Sequence, residues 1–182
     1  MRYAMIQNSL AAAGFLLLIL ADILWAKGKK AAVSLRVPGY LAVCAAIGLI
    51  ALEPWPRRPL FAVFAVAALV SGALLIWSVF LEIGIEKRRR KLGPTDTVVS
   101  GTYSLCRHPG FWWFTFFLVS MGALKDFSAY FSTILLMIAF DLLLIVIQDC
   151  YTFPKVFRGY DDYKKSVPFL IPRLNRGQSR RN

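Results

Sequence analysis

Four stretches of this chain, residues 9–26, 37–53, 60–81 and 129–147, are apolar almost without interruption. At 1.5 Å per residue such runs match the ~30 Å hydrocarbon thickness of a bilayer, and in that medium a backbone must satisfy its own hydrogen bonds. These runs therefore predict an all-α, polytopic integral membrane protein. The composition agrees, with 58% hydrophobic and only 18% charged residues in 182. The first run lacks a convincing cleavage site and reads as a retained helix.

A fifth apolar segment, 110–124, is aromatic but short, about 22 Å as a helix. Joined by "KDFS" to the run at 129–147, it predicts a helical hairpin whose first arm is held by protein and need not match the bilayer. Pro38 suits the first turn of the second helix, where no amide donor is needed. "EPWPRRP" predicts a tight non-helical connection, and "RGQSRRN" closes a polar tail, 174–182, that reads as disordered.

Five transmembrane helices put the two termini on opposite sides, and the basic residues choose the sides. Of the 22 lysines and arginines, all but Arg2, Arg57, Arg58 and Lys125 fall in the first loop, the third loop or the C-terminal segment. The positive-inside rule then puts the N-terminus outside and a C-terminal helical segment in the cytoplasm, at the inner membrane of a bacterium or the endoplasmic reticulum of a eukaryote. The net charge of +12 is thereby read as topology, and no nucleic-acid partner is inferred. "KRRRK" at 87–91 is an orientation signal on this reading, with anionic lipid or substrate as the competing contact. Cys44, Cys106 and Cys150 form neither a disulfide framework nor a metal-ligand pattern, and no metal is expected.

The same topology brings two polar segments to one side, 82–109 and 148–173. The first ends in "YSLCRHPGFWWF", where Pro109 holds His108 extended and starts a helix, so that Arg107, His108 and free amides converge. The second, "QDCYTFPKVFRGYDDYKKSVPFLIP", carries Asp149 and then Tyr160 and Tyr163, three apart on one face of a helix. Two readings stand side by side: Arg107 snorkelling to headgroups with an aromatic belt of Phe111, Trp112 and Trp113, or a polar pocket formed by both segments. Two intramembrane acids also admit two readings each. Asp141 either lines the deeper pocket or bonds a neighbouring helix; Asp22 is functional or pairs with Lys27 or its neighbours.

Gly101, Tyr103, Arg107, His108 and Pro109, followed by Tyr160, Tyr163, Val167, Pro168, Ile171 and Pro172, resemble the two-part signature of integral-membrane methyltransferases related to isoprenylcysteine carboxyl methyltransferase and phospholipid N-methyltransferase. The resemblance covers roughly residues 80–173. It implies S-adenosylmethionine as cofactor, held by Tyr103, Leu105, Arg107, His108, Pro109, Phe111, Gln148 and Asp149. It further implies Arg107, Asp149 and Tyr160 as catalytic groups, a substrate pocket with Asp141, Trp112 and Tyr163, and a lipid or lipidated substrate with a carboxylate or amine nucleophile. Three departures stand out: Gln148–Asp149 where the family commonly has two glutamates, Phe111 in place of a tyrosine, and "VFRGY" where Phe-Gly precedes the first tyrosine. A nicotinamide-dependent enzyme of the sterol-reductase type and a non-catalytic lipid-binding scaffold are the alternatives.

Overall fold

The computed structural model describes residues 2–55, 60–125 and 127–172, with side chains from residue 4 onward. Six helices organise them: α1 (Arg2–Ala26), α2 (Ala31–Leu52), α3 (Phe61–Arg89), α4 (Pro109–Leu124), α5 (Phe127–Val156) and the short α6 (Tyr160–Ser166). No strand forms among the described residues, although a single parallel bridge joins Asp96 to Arg158. Four helices, α1, α2, α3 and α5, are long and apolar enough to cross a membrane. The architecture is that of an α-helical, multi-pass membrane protein. α4, with 16 residues, is apolar but shorter than the other four, so among the described residues four helices, and not five, have the length of a full span. The expected disordered tail, 174–182, and most of the "EPWPRRP" connection, its residues 56–59, lie outside the described residues.

Several boundaries differ from expectation. α2 starts at Ala31, which puts Pro38 inside the helix and not in its first turn. The preceding segment "AAVSLRV" is adequate helix-forming sequence, and the interior proline removes only one backbone hydrogen bond. α3 continues to Arg89 and α5 to Val156, each through one π-helical stretch, Trp77–Glu82 and Gln148–Thr152. Pro154, two residues past the end of the second, cannot donate to the carbonyl four residues back, a cause of local widening.

Between lipid-facing helices no hydrophobic driving force remains, and close van der Waals contact must do the packing. α1 and α2 achieve it where Gly14 meets Gly39. A Cβ built on Gly14 would stand 2.9 Å from the Gly39 carbonyl oxygen, and one on Gly39 would stand 3.1 Å from that of Gly14. The core below combines Phe15 and Leu18 of α1, Val43 of α2, Leu118 of α4 and Met137 of α5. Phe15 stacks on Phe140 at 6.0 Å, and Asp22 meets Gln148 further along, so α1 and α5 run parallel. α3 leans on α4 through Ala68, packed with Met121 and Leu124. Its outer surface exposes Val63, Val66, Leu69, Val70 and Ile76, which in water would be a large apolar patch and in a bilayer faces acyl chains.

At the end of α4, Lys125 is buried at 2% exposure. Its ammonium lies 3.5 Å over the Trp55 ring, donates to the Ala51 carbonyl at 3.0 Å and also bonds the Glu53 carbonyl. A cation here satisfies the last carbonyls of α2 and complements the negative end of its dipole. This levels α4 with the end of α2. The opposite end of the bundle gathers the end of α1, the start of α2, the ends of α3 and α5, and α6.

Candidate functional site

Two carboxylates at the end of α3 shape the first half of the site. Glu82 lies in the π-helical stretch and accepts the Thr102 backbone N–H at Oε1, 2.7 Å, and the Thr102 hydroxyl at Oε2. One turn on, Glu86 accepts from Ser100 and pairs with Arg89 at 2.8 Å and Arg90 at 3.1 Å. The chain between turns back as a 3₁₀ segment, Gly101–Ser104. Tyr103 reaches from that turn to donate to the Ser78 carbonyl at 3.0 Å, inside the π-helical stretch.

Beyond the turn, Arg107 grips Asp149 with two parallel hydrogen bonds, Nε to Oδ1 at 2.7 Å and Nη2 to Oδ2 at 2.9 Å. Nη1 donates to the Val167 carbonyl at 2.7 Å and to that of Lys164 at 3.1 Å. Both side chains of the pair are more than nine-tenths buried. Such a fork is the geometry in which arginine exceeds lysine, and it works only if the desolvated groups are otherwise satisfied. Here they are: Tyr160 donates to Asp149 Oδ1 at 2.8 Å, and Lys164 Nζ lies 3.6 Å from Oδ2.

His108 caps this arrangement. Its ring stacks on Phe153 at 5.9 Å and meets Phe169 edge-on at 5.2 Å. Nε2 stands 3.4 Å from Asp149 Oδ1, out of line for a hydrogen bond, and has no other partner. Burial holds the His108 pKa below its usual value, outweighing the nearby Asp149 carboxylate, so the imidazole is neutral at physiological pH. Thr152 Oγ1, on the wide turn of α5, is a second buried polar atom without a partner.

α6 closes the cluster. Tyr160 and Tyr163 are both 4% exposed and pack ring to ring at 5.6 Å; Tyr163 donates to the Tyr103 carbonyl at 2.5 Å. Burial is the first cause that raises the pKa of Tyr103, Tyr160 and Tyr163, keeping each a neutral donor. The extended chain after α6 is tied down by Arg107 N–H to the Pro168 carbonyl at 3.0 Å and by the Trp112 indole to that of Leu170 at 2.8 Å. Beside the cluster opens a groove of about 480 Å³, lined by Thr95, Lys155, Arg158, Gly159, Tyr160 and Asp161. Tyr160 is the wall common to both.

Of the residues named from the sequence, Tyr103, Arg107, His108, Asp149, Tyr160 and Tyr163 converge. Pro109 starts α4 and Phe111 is buried against Trp112, 5.7 Å ring to ring. Leu105 is 40% exposed and turned outward. Gln148 points away from Asp149 and donates to Asp22 at 2.7 Å, while Arg36 takes the other Asp22 oxygen at 2.9 Å and lies 4.2 Å over Trp25. Asp22 thus pairs with Arg36, two turns into α2, and not with Lys27: the loop directs α2 back along α1, and Arg36 is the basic residue on the contacting face. Asp141 is half-buried on α5, outside this hydrogen-bonded cluster. The sequence reading missed Glu82, Thr152, Phe153, Lys164 and Phe169. Only Glu82 left a signal, an acid four residues before Glu86 at the end of an apolar run.

The chain matches no family model, no curated protein and no solved structure. Among the described residues no group of His, Cys, Asp and Glu is arranged to hold a metal ion.

Proposed function

We propose that the protein is an S-adenosylmethionine-dependent methyltransferase acting on a lipid or lipidated substrate, with its N-terminus outside and the site in the cytoplasm. The observation that carries the reading is the closure of the two motif segments on each other through Arg107 and Asp149, 42 residues apart. The residues fit the polar end of that cofactor in kind: His108 Nε2 and Thr152 Oγ1 are buried without a hydrogen-bond partner, and a groove lies beside Tyr160, which bonds Asp149. His108 and the one Nη2 hydrogen that Arg107 has left would hold its carboxylate, and Asp149 Oδ2, hydrogen-bonded by Arg107 alone, its ammonium, with Tyr103, Pro109 and Phe111 alongside.

When bound, the cofactor supplies a methyl group on a sulfonium, and transfer is an in-line displacement that needs alignment more than covalent help. Phe153, Phe157 and Phe169 give the site partly buried aromatic walls that would help keep water from a bound cofactor. A substrate amine must first lose a proton, and neutral His108 can accept it, since the oxygens of Asp149 are already engaged by Arg107 and Tyr160. A substrate carboxylate needs orientation only.

Isothermal titration of the purified protein in detergent with S-adenosylmethionine and, separately, with a reduced nicotinamide tests the reading. Binding of the first, with labelled methyl appearing in extracted lipid, supports it; preference for the nicotinamide supports the reductase alternative. A non-catalytic scaffold is favoured by one feature: Arg107 spends four donor contacts on the protein itself. Replacing Arg107 and Asp149 together should then leave partner or lipid binding unchanged, whereas a methyltransferase loses its cofactor.

A further inference from the structure

Glu82 belongs to no part of the motif, yet the residue is only 5% exposed at the end of a membrane-spanning helix. Charge in such a place is expensive unless every acceptor is used. Both oxygens are used, on one residue: the Thr102 amide takes Oε1 and its hydroxyl takes Oε2. The neighbouring residue makes this possible. Gly101 sits at φ +63°, a left-handed conformation that glycine adopts without penalty, and a Cβ there would overlap Glu82 Oε1 outright. The glycine is demanded twice, by its backbone and by the carboxylate lying against it.

What the carboxylate fixes is the direction in which the chain leaves α3. Thr102 and Tyr103 are consecutive; Thr102 is held by Glu82, and Tyr103 reaches the Ser78 carbonyl four residues before Glu82. Tyr103 then receives Tyr163 on its own carbonyl, and four residues on, the Arg107 amide bonds Pro168. Cys106, the residue before Arg107, is 2% exposed in this path. A bidentate arginine–carboxylate pair tolerates little displacement, so the turn must be held before Arg107 can meet Asp149 in that geometry.

We infer that Glu82 is a positioning residue of the site, with Gly101 as its necessary partner: the carboxylate locks the Gly101–Ser104 turn and so sets the approach of Arg107 and His108 to Asp149. Its consequence for cofactor affinity rests on the methyltransferase reading; its consequence for the turn does not.

The experiment uses full-length protein in detergent with Cys44 and Cys150 replaced by serine, leaving buried Cys106 as the one thiol. Two readings are taken on each variant: the rate of maleimide labelling at Cys106 and the dissociation constant for S-adenosylmethionine. Glu82→Met keeps the volume and removes both acceptors; it should speed labelling about tenfold and weaken cofactor binding about tenfold, the size expected for losing hydrogen bonds to a charged group. Glu82→Gln can accept the Thr102 amide and donate to its hydroxyl, and should restore both readings to within about twofold. A role in packing alone would let Glu82→Met pass and is thereby separated. Thr102→Val, which loses only the hydroxyl bond, gives an intermediate change if Glu82→Met does not fold. Unchanged Cys106 labelling in Glu82→Met, or in Thr102→Val where it stands in, overturns the inference whether or not the cofactor binds. Absence of S-adenosylmethionine binding to the unsubstituted protein, with labelling accelerated in Glu82→Met, leaves the positioning role supported and removes the methyltransferase reading.

Discussion

Arg107 and Asp149 meet as a planar fork, with nitrogen–oxygen distances of 2.7 and 2.9 Å, both buried and both further engaged by protein groups. Each is therefore expensive to lose alone. Arg107→Met and Asp149→Leu should each destabilise the protein by about 3–5 kcal/mol, the loss typical of stranding one buried charge. The double variant should lose clearly less than the sum. Reversible unfolding in mixed micelles measures all three; strictly additive losses would show that the pair is not coupled.

The buried neutral His108 gives stability a pH dependence whose sign is fixed. Its folded pKa is below the unfolded value of about 6.5, so the unfolded chain binds the proton first as pH falls. Its contribution is fully present above about pH 6.5 and is lost as pH falls below it. Thermal unfolding between pH 8 and 5 should show the midpoint declining over the lower part of that range. His108→Gln should flatten the decline, and an equal slope in that variant would exclude His108 as its source.

Gln148 offers a different test, because a glutamate at that position would replace a donor with an acceptor. Its amide bonds Asp22 at 2.7 Å, and the next residue is Asp149. Gln148→Glu should cost about 1–3 kcal/mol as an unmade buried hydrogen bond with like charge added. Adding Asp22→Asn should recover most of the loss in the same unfolding assay. If Gln148→Glu is neutral, the Asp22 contact contributes little.

The α1–α2 crossing predicts opposite outcomes for two glycines on one helix. Gly39→Ala drives a methyl to within 3.1 Å of the Gly14 carbonyl oxygen and 2.9 Å of Leu18, and should cost about 1–3 kcal/mol. Gly48→Ala meets nothing within 4 Å and should be neutral or gain about 0.5–1 kcal/mol from helix propensity. Comparing their unfolding midpoints checks the crossing directly.

The helices were legible because membrane spans announce themselves by length and apolar content. Their rotations were not: Leu16 and Leu69 are lipid-facing while Leu18 and Leu118 are core, and the letters do not distinguish them. A helix apolar all round carries no stripe to orient it. For that reason Arg36 could not be chosen over Lys27 as partner of Asp22, nor could Gln148 be seen to face α1 and not the site. Arg107, His108, Asp149 and the two tyrosines were legible as residues set apart from apolar surroundings by charge, ring and spacing. Glu82 and Thr152 depend on π-helical turns, one extra residue in a helix, for which the sequence has no periodic mark beyond Pro154.

The brevity of α4 shapes the membrane as well as the bundle. Its 16 residues rise about 24 Å, while α3 and α5 run to 29 and 30 residues. Lys125 pins one end of α4 level with the end of α2, so the whole shortfall falls at the other end, where Pro109 begins the helix directly after His108. Arg107 and His108 thus lie short of the ends of α3 and α5, covered by α6 and the chain that follows it. The charged pair therefore meets about two turns before α5 ends, inside the span of its neighbours, without α4 having to carry it through hydrocarbon.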